Sequence, residues 1–483
     1  MDLDRNNLRA ENKGIDQIVT ETNDTLNSKE TSSKQYYLQV DVMKTICIIC
    51  VIAVHNVGKY MFPIERFWQV LQPIPLFLLI SGFNFGNSFK RKNLHTLKEM
   101  YTVQYLKKCF WRVIFPLFLI NLVCFIIDLI AVNLTNLHVW GWSNPELHVV
   151  SWGQNNAPAW AQSNLSQPLL SDILMGSPIF PGPGTYYIPI LIQFVMLFPL
   201  IYKLFDKSPI LGLIACFLIE LIFQLWIIPL IVGPVGDNNL FFCGNMFRYI
   251  SAIGLGVWFV NNHNIFSKKN LPIVAMSLLS LFLLLAFFFG DLWFPWLDNF
   301  NILGHNIFRR NDFIDYGYSL SFFRTEPWWG KSNIFTYFYP ATIFLIFMKI
   351  LPSNLNENKK ISRGITRFFK SFSKITYHIL LVQLVFFWVY IPISATESFQ
   401  WNDHFYIQYI SDLAGPYANG FNLRWLEVPF NDALAILYIK YIMFIITFIV
   451  VLILSGIFYV FENKLQKGIK LIGSGIKKLT KEK

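Results

Sequence analysis

The sequence predicts an all-α integral membrane protein: a bundle of about ten transmembrane helices with both termini in the cytoplasm. Three observations predict it. Of the 483 residues, 54% are apolar and only 14% are charged, a balance far from that of a soluble domain. The apolar residues run in stretches long enough to cross a hydrocarbon core, for which about 20 helical residues suffice. The net charge of +11 is concentrated in alternate connections, as the positive-inside rule demands of a multi-pass protein.

The predicted segments lie near residues 40–60, 67–88, 109–133, 185–205, 209–231, 243–261, 271–290, 333–352, 373–394 and 434–461. Residues 1–36 are polar, mix both signs of charge and contain no apolar core, so they are expected to form a disordered cytoplasmic arm, not a cleavable signal peptide. The first apolar segment then serves as the insertion signal. Lys90, Arg91, Lys92, Lys98, Lys107 and Lys108 follow the second segment, and Lys359, Lys360, Arg363, Arg367 and Lys370 follow the eighth. Lysines also crowd the chain beyond the tenth, whereas 134–184 holds no Lys or Arg. Alternate connections therefore place the basic set and both termini on the cytoplasmic face of the plasma membrane. Anionic lipid and topology account for the basic excess, and no nucleic-acid partner is expected. The transmembrane domain is expected over 37–465, and 466–483 as a basic cytoplasmic tail lying along the inner surface as an amphipathic helix.

All six cysteines fall in or at the edge of apolar segments, which argues against a disulfide framework. Cys47 and Cys50 have CxxC spacing, but inside an apolar helix they read as small packing residues, and no metal site is assigned. The outer connection 134–184 is rich in tryptophan (Trp140, Trp142, Trp152, Trp160), suited to the membrane interface or to stacking on sugar rings. Asn133 and Asn164 head N-x-T and N-x-S tripeptides. The connections at 291–332 and 395–433 are also long enough to act as lids or binding walls.

The most informative pair is Lys44 and His55, eleven residues apart in the first segment. Eleven helical steps of about 100° return to nearly the same face and separate the two by about 16 Å. Ionisable groups at such depth read as a functional site by default; the alternative is a snorkelling lysine and a histidine satisfied by a neighbouring helix. Asp41 stands one turn before Lys44, close enough to pair with it. The second segment ends Pro75-Leu-Phe-Leu-Leu-Ile-Ser81-Gly82-Phe83, with Arg91 beyond it, and the third begins with Lys107, Lys108, Arg112 and Pro116. Three segments thus bring cations to one entrance, although cationic helix ends are also ordinary under the positive-inside rule.

With these residues in place the chain resembles the acyltransferase 3 family, integral membrane proteins that acylate cell-surface carbohydrates. Asp41, Lys44 and His55 stand where that family's first helix carries D-x-x-R and R/K-x10-H. Pro75 to Phe83 with Arg91, and Lys108, Arg112 and Pro116, match its second and third helices. Pro183-Gly-Thr-Tyr-Tyr-Ile-Pro189 with Gln193-Phe194, Phe247-Arg248-Tyr249 through Gly254-Leu255-Gly256, Ile375-Thr376-Tyr377 and Tyr459-Val-Phe-Glu462 are similar to further motifs. The likeness covers about residues 37–465. Five positions depart from it: lysine in place of arginine at 44, Tyr186 in place of Trp, Gln383 in place of His, and Asn463-Lys464 in place of Arg-Pro. These departures bear on substrate detail more than on reaction class.

The resemblance implies transfer of an acyl group, acetyl being the family expectation, from cytoplasmic acyl-CoA to a hydroxyl of a cell-surface or lipid-linked carbohydrate. Acyl-CoA is then the donor substrate, with no permanently bound cofactor. Its phosphates would meet Lys44, Arg91, Lys108 and Arg112. His55 would act as general base or as an acyl-carrying nucleophile. Ser81 would bond thioester or acceptor, or simply allow close helix packing. Asp41 would orient Lys44, and Glu462 reads as structural. Two other classes fit the composition: a transporter or flippase for a glycan or small solute, with Lys44 and His55 lining its path, and a membrane glycosyltransferase. Absence of paired repeat halves argues against the first, and a single acidic residue, Glu65, in the first outer loop argues against the second.

Overall fold

In the computed structural model the described residues are 37–56, 70–135, 187–227, 244–293, 301–302, 305–306, 334–353, 355, 359–394 and 433–479. Apart from one antiparallel pairing of Asn301–Ile302 with His305–Asn306, their regular structure is helical. The predicted arm at 1–36 and the tryptophan-rich connection lie outside them. A helix falls on each of the ten predicted segments, and two, Tyr187–Lys207 and Phe444–Ile472, are long and apolar enough to cross a membrane by length and composition. Helices suit such a setting because every backbone donor and acceptor is satisfied within the element.

Helix α1 (Leu38–Asn56) carries both Lys44 and His55. Helix α2 (Pro73–Arg91) opens with proline in its first turn, where a missing N–H costs nothing, behind Gln72 at φ 49. A short helix α3 (Leu97–Met100) follows, closed by a capping box between Thr96 and Glu99. The backbone amides of Thr96 and His95 hold the Glu99 carboxyl below its usual range. Helix α4 (Val103–Cys109) is capped by the Thr102 hydroxyl and leads into a single π-helical turn, Phe110–Ile114, before α5 (Phe115–Thr135). Pro116 lacks an N–H and crowds the carbonyl four residues back, and a widened turn just before it relieves that conflict.

Next come α6 (Tyr187–Lys207), α7 (Pro209–Ile222, capped by Ser208), a 3-10 turn Met246–Tyr249, α8 (Ile250–Phe259), α9 (Leu271–Trp293) and α10 (Phe338–Ile350). Helix α11 (Lys360–Ser394) has 35 residues and α12 (Ala433–Leu479) has 47. At about 1.5 Å per residue, α12 is about 70 Å long, more than twice a hydrocarbon core of about 30 Å. The basic tail is helical to Leu479, continuous with α12. No proline interrupts the run, and its basic residues are compatible with helix once past the hydrocarbon.

The centre of the bundle is the crossing of α2 and α8. A Cβ on Gly82 would strike the Ile253 carbonyl, and one on Gly256 the Leu79 carbonyl, so each helix sinks a glycine into the other's backbone. Around it Phe83 packs edge-on to Phe344, and Phe259 stacks on Phe344. Phe85, Phe89, Phe194 and Phe198 interlock where α2 meets α6. Helix α1 lies against this core and against α10, α11 and α12. Five cysteines, Cys47, Cys50, Cys109, Cys124 and Cys216, are free and buried, whereas Cys243 lies outside the described residues.

Candidate functional site

Lys44 sits seven residues beyond Tyr37, so it is recessed about 10 Å from the start of α1. Its Nζ donates to Ser373 Oγ of α11 at 3.4 Å and stands 4.0 Å from Asp41 Oδ1, at the limit of an ion pair. The Lys44 side chain is one-quarter exposed. The π turn places Arg112 on the same side, exposed, and near enough for its charge to act on Lys44. Two cations therefore act on one another at this recessed position, and among the described residues Asp41 is the carboxylate at the edge of ion-pairing distance from Lys44.

The turn that carries Arg112 is held from two other helices. Phe115 N–H bonds the Phe110 carbonyl, five residues back, which leaves the Trp111 carbonyl without its usual helical donor. Gln466 Nε2 of α12 donates to it at 3.1 Å. The Tyr377 hydroxyl of α11 donates to the Val113 carbonyl at 3.0 Å. Lys470, one turn beyond Gln466, lies over the Trp111 ring at 5.8 Å from its centroid.

Not every residue proposed from the sequence joins this cluster. Lys108 is exposed one turn before Arg112 on α4, with its charge reaching Cys109. Arg91 is exposed at the end of α2, next to Lys90, whose Nζ donates to Asn261 Oδ1 at 2.6 Å. Ser81 donates to the Phe77 carbonyl of its own helix at 2.9 Å, while Gly82 beside it makes the close crossing. Of its two readings, packing is the one the contacts satisfy. His55 lies in the last turn of α1, and its side chain falls outside the described residues.

Two buried polar centres escaped the sequence reading. Glu462, which the sequence marks as structural, forms a close Oε2–Nε2 pair with His378 between α12 and α11, both nine-tenths buried. Gln466 Nε2 also reaches Glu462 Oε1 at 2.5 Å, which links this pair to the π turn. Glu220, on α7, accepts from Ser251 N–H and Gln224 Nε2, each at 2.9 Å. Tyr337 Oη donates to the Arg248 carbonyl at 2.9 Å next to it. A carboxylate inside the apolar run 209–222 was the signal that marked Glu220. For His378 and Glu462 it was their place at the ends of apolar segments.

Residues 37–460 match the model of the acyltransferase 3 family, described as an acyltransferase domain. No curated protein and no solved structure matches the chain.

Proposed function

Because this chain belongs to the acyltransferase 3 family and is thus a membrane acyltransferase, we propose that it moves an acyl group, acetyl in the first instance, from cytoplasmic acyl-CoA to a hydroxyl of an extracytoplasmic carbohydrate or lipid-linked glycan. The observation that carries the reading is the Lys44–Arg112 recess at the start of the helix that bears His55. Two neighbouring cations whose ion pairing among the described residues is the 4.0 Å Asp41 contact suit a diphosphate, with which each can form charge-assisted hydrogen bonds. Asp41 supports Lys44 from the side. Lys108 extends the cationic rim one turn outward, and Arg91 belongs to the wider basic surface. The basic helix ends face the cytoplasm in this reading, and both termini lie there.

The thioester arm would run along α1 from Lys44 toward His55, about 16 Å for the eleven residues between them. His55 then serves as general base. It takes the proton from the acceptor hydroxyl as that oxygen attacks the thioester carbonyl. When the tetrahedral intermediate collapses, the carbon–sulfur bond breaks and the imidazolium returns the proton to the leaving CoA thiolate. The acyl group ends on the acceptor oxygen, and the enzyme is unchanged.

Kinetics of two variants test the assignment. His55→Ala should lower kcat by about 10²–10⁴, the usual contribution of a positioned acid–base group, while the protein still folds. Lys44→Ala should raise KM for acyl-CoA about tenfold or more, the worth of one charged hydrogen bond, with a smaller effect on kcat. An inactive Lys44→Ala whose acyl-CoA affinity is unchanged refutes the role given to that lysine.

A further inference from the structure

The π turn is unusual in being tied by side chains at both of the carbonyls that flank Arg112. Tyr377 and Ser373 lie one turn apart on α11, so one helix face holds Lys44 through Ser373 and the turn through Tyr377. Helix α12 supplies the opposite tie, Gln466 on the Trp111 carbonyl, and Glu462 in turn holds Gln466. His378, on α11, closes the loop by pairing with Glu462. The chain of contacts therefore runs from α11 through α12 to the π turn and back to α11, around the backbone of Arg112.

We propose that Tyr377 and Gln466 are positioning residues for the acyl donor: by holding the Val113 and Trp111 carbonyls they fix the π turn so that the Arg112 guanidinium stands beside Lys44 to receive the donor's phosphates. The inference rests on the reading that this recess binds acyl-CoA. A guanidinium on an untethered turn must be ordered when the ligand binds, and that ordering weakens binding; a turn held beforehand avoids it. Neither positioning residue needs to touch the donor. Their effect passes through Arg112, which separates positioning from ordinary contribution to stability.

The test is a double-mutant cycle on the full-length protein in lipid nanodiscs, reading acetyl-CoA affinity by equilibrium binding and KM and kcat by transfer. Tyr377→Phe and Gln466→Met each remove one donor while keeping shape. Each should raise Kd and KM for acetyl-CoA about three- to tenfold, the net worth of a hydrogen bond, and leave kcat within about twofold. In an Arg112→Ala background the same substitutions should add nothing further, because the group they position is gone. Effects that multiply in that background, or a Kd that stays at the wild-type value in both variants, overturn the proposal. Two substitutions on different helices keep the test decisive if one fails to fold, and the thermal half-life of each variant checks folding. Wild-type protein that binds no acyl-CoA overturns the donor reading itself, and this inference with it; wild-type binding with multiplying effects overturns the inference alone.

Discussion

At the scale of single residues, the lysine at position 44 decides how the recess holds an anion. An ammonium is a compact point charge with three donors, and one of them is spent on Ser373. Arginine there would add a planar fork. Lys44→Arg is expected to keep transfer within a few-fold of wild type, and a Lys44→Arg variant as impaired as Lys44→Ala would show that shape, not charge, matters. Ser81 carries a different expectation. Its hydroxyl is engaged by its own helix, so Ser81→Ala should change KM and kcat by less than about threefold, within the net worth of a single hydrogen bond. Gly256 is far less tolerant. A methyl group there meets the Leu79 carbonyl, and Gly256→Ala should destabilise the bundle by about 1–3 kcal/mol, seen as a shortened half-life on heating. That Lys44 and Arg112 stand near the ends of apolar segments was legible in the sequence. Their partners were not. Ser373 meets Lys44 across 329 residues and Gln466 meets Trp111 across 355. Polar residues at such separations are common in any chain, and only the faces that helices turn to each other select these.

At the scale of elements, positions were more legible than ends. The ninth segment was expected from 373, but α11 begins at Lys360. Its first turns hold Lys360, Arg363, Arg367 and Lys370, which exclude them from a hydropathy-based segment although they remain good helix formers. These cations recur every three or four residues along one side, with Ile361, Ile365 and Phe368 exposed between them. The tail behaves in the same way, its basic residues continuing the helix of the apolar segment to Leu479. The π turn was not legible at all, although Pro116 four residues after Arg112 is its physical cause. The capping box of α3 gives the connection between α2 and α4 a pH-dependent feature. With the Glu99 carboxyl held low by two amides, its support is present above the ordinary carboxylate pKa of about 4.3 and is lost as pH falls through the lowered value. The protection of the Thr96 and His95 amides, taken relative to their intrinsic exchange rates, should therefore fall at acid pH and stay constant near neutral pH.

At the scale of the whole molecule, the segments, their order and the family were readable because each follows from hydropathy and from motifs at helix ends. The long connections at 134–184, 291–332 and 395–433 carry no such pattern in the sequence. Sidedness is the property on which the proposed chemistry depends. Single cysteines placed at Lys478 and in the 134–184 connection should be labelled by membrane-impermeant reagents from opposite faces. Labelling of both from one face would invert or break the topology. The most direct test of acyl transfer across the membrane uses sealed vesicles of purified protein, with labelled acetyl-CoA supplied only on the face that bears the tail and surface glycan on the other. The account predicts label on the glycan with wild-type protein and its loss with His55→Ala. Folded wild-type protein that leaves the glycan unlabelled across several acyl-CoAs, or label that persists without His55, would contradict it.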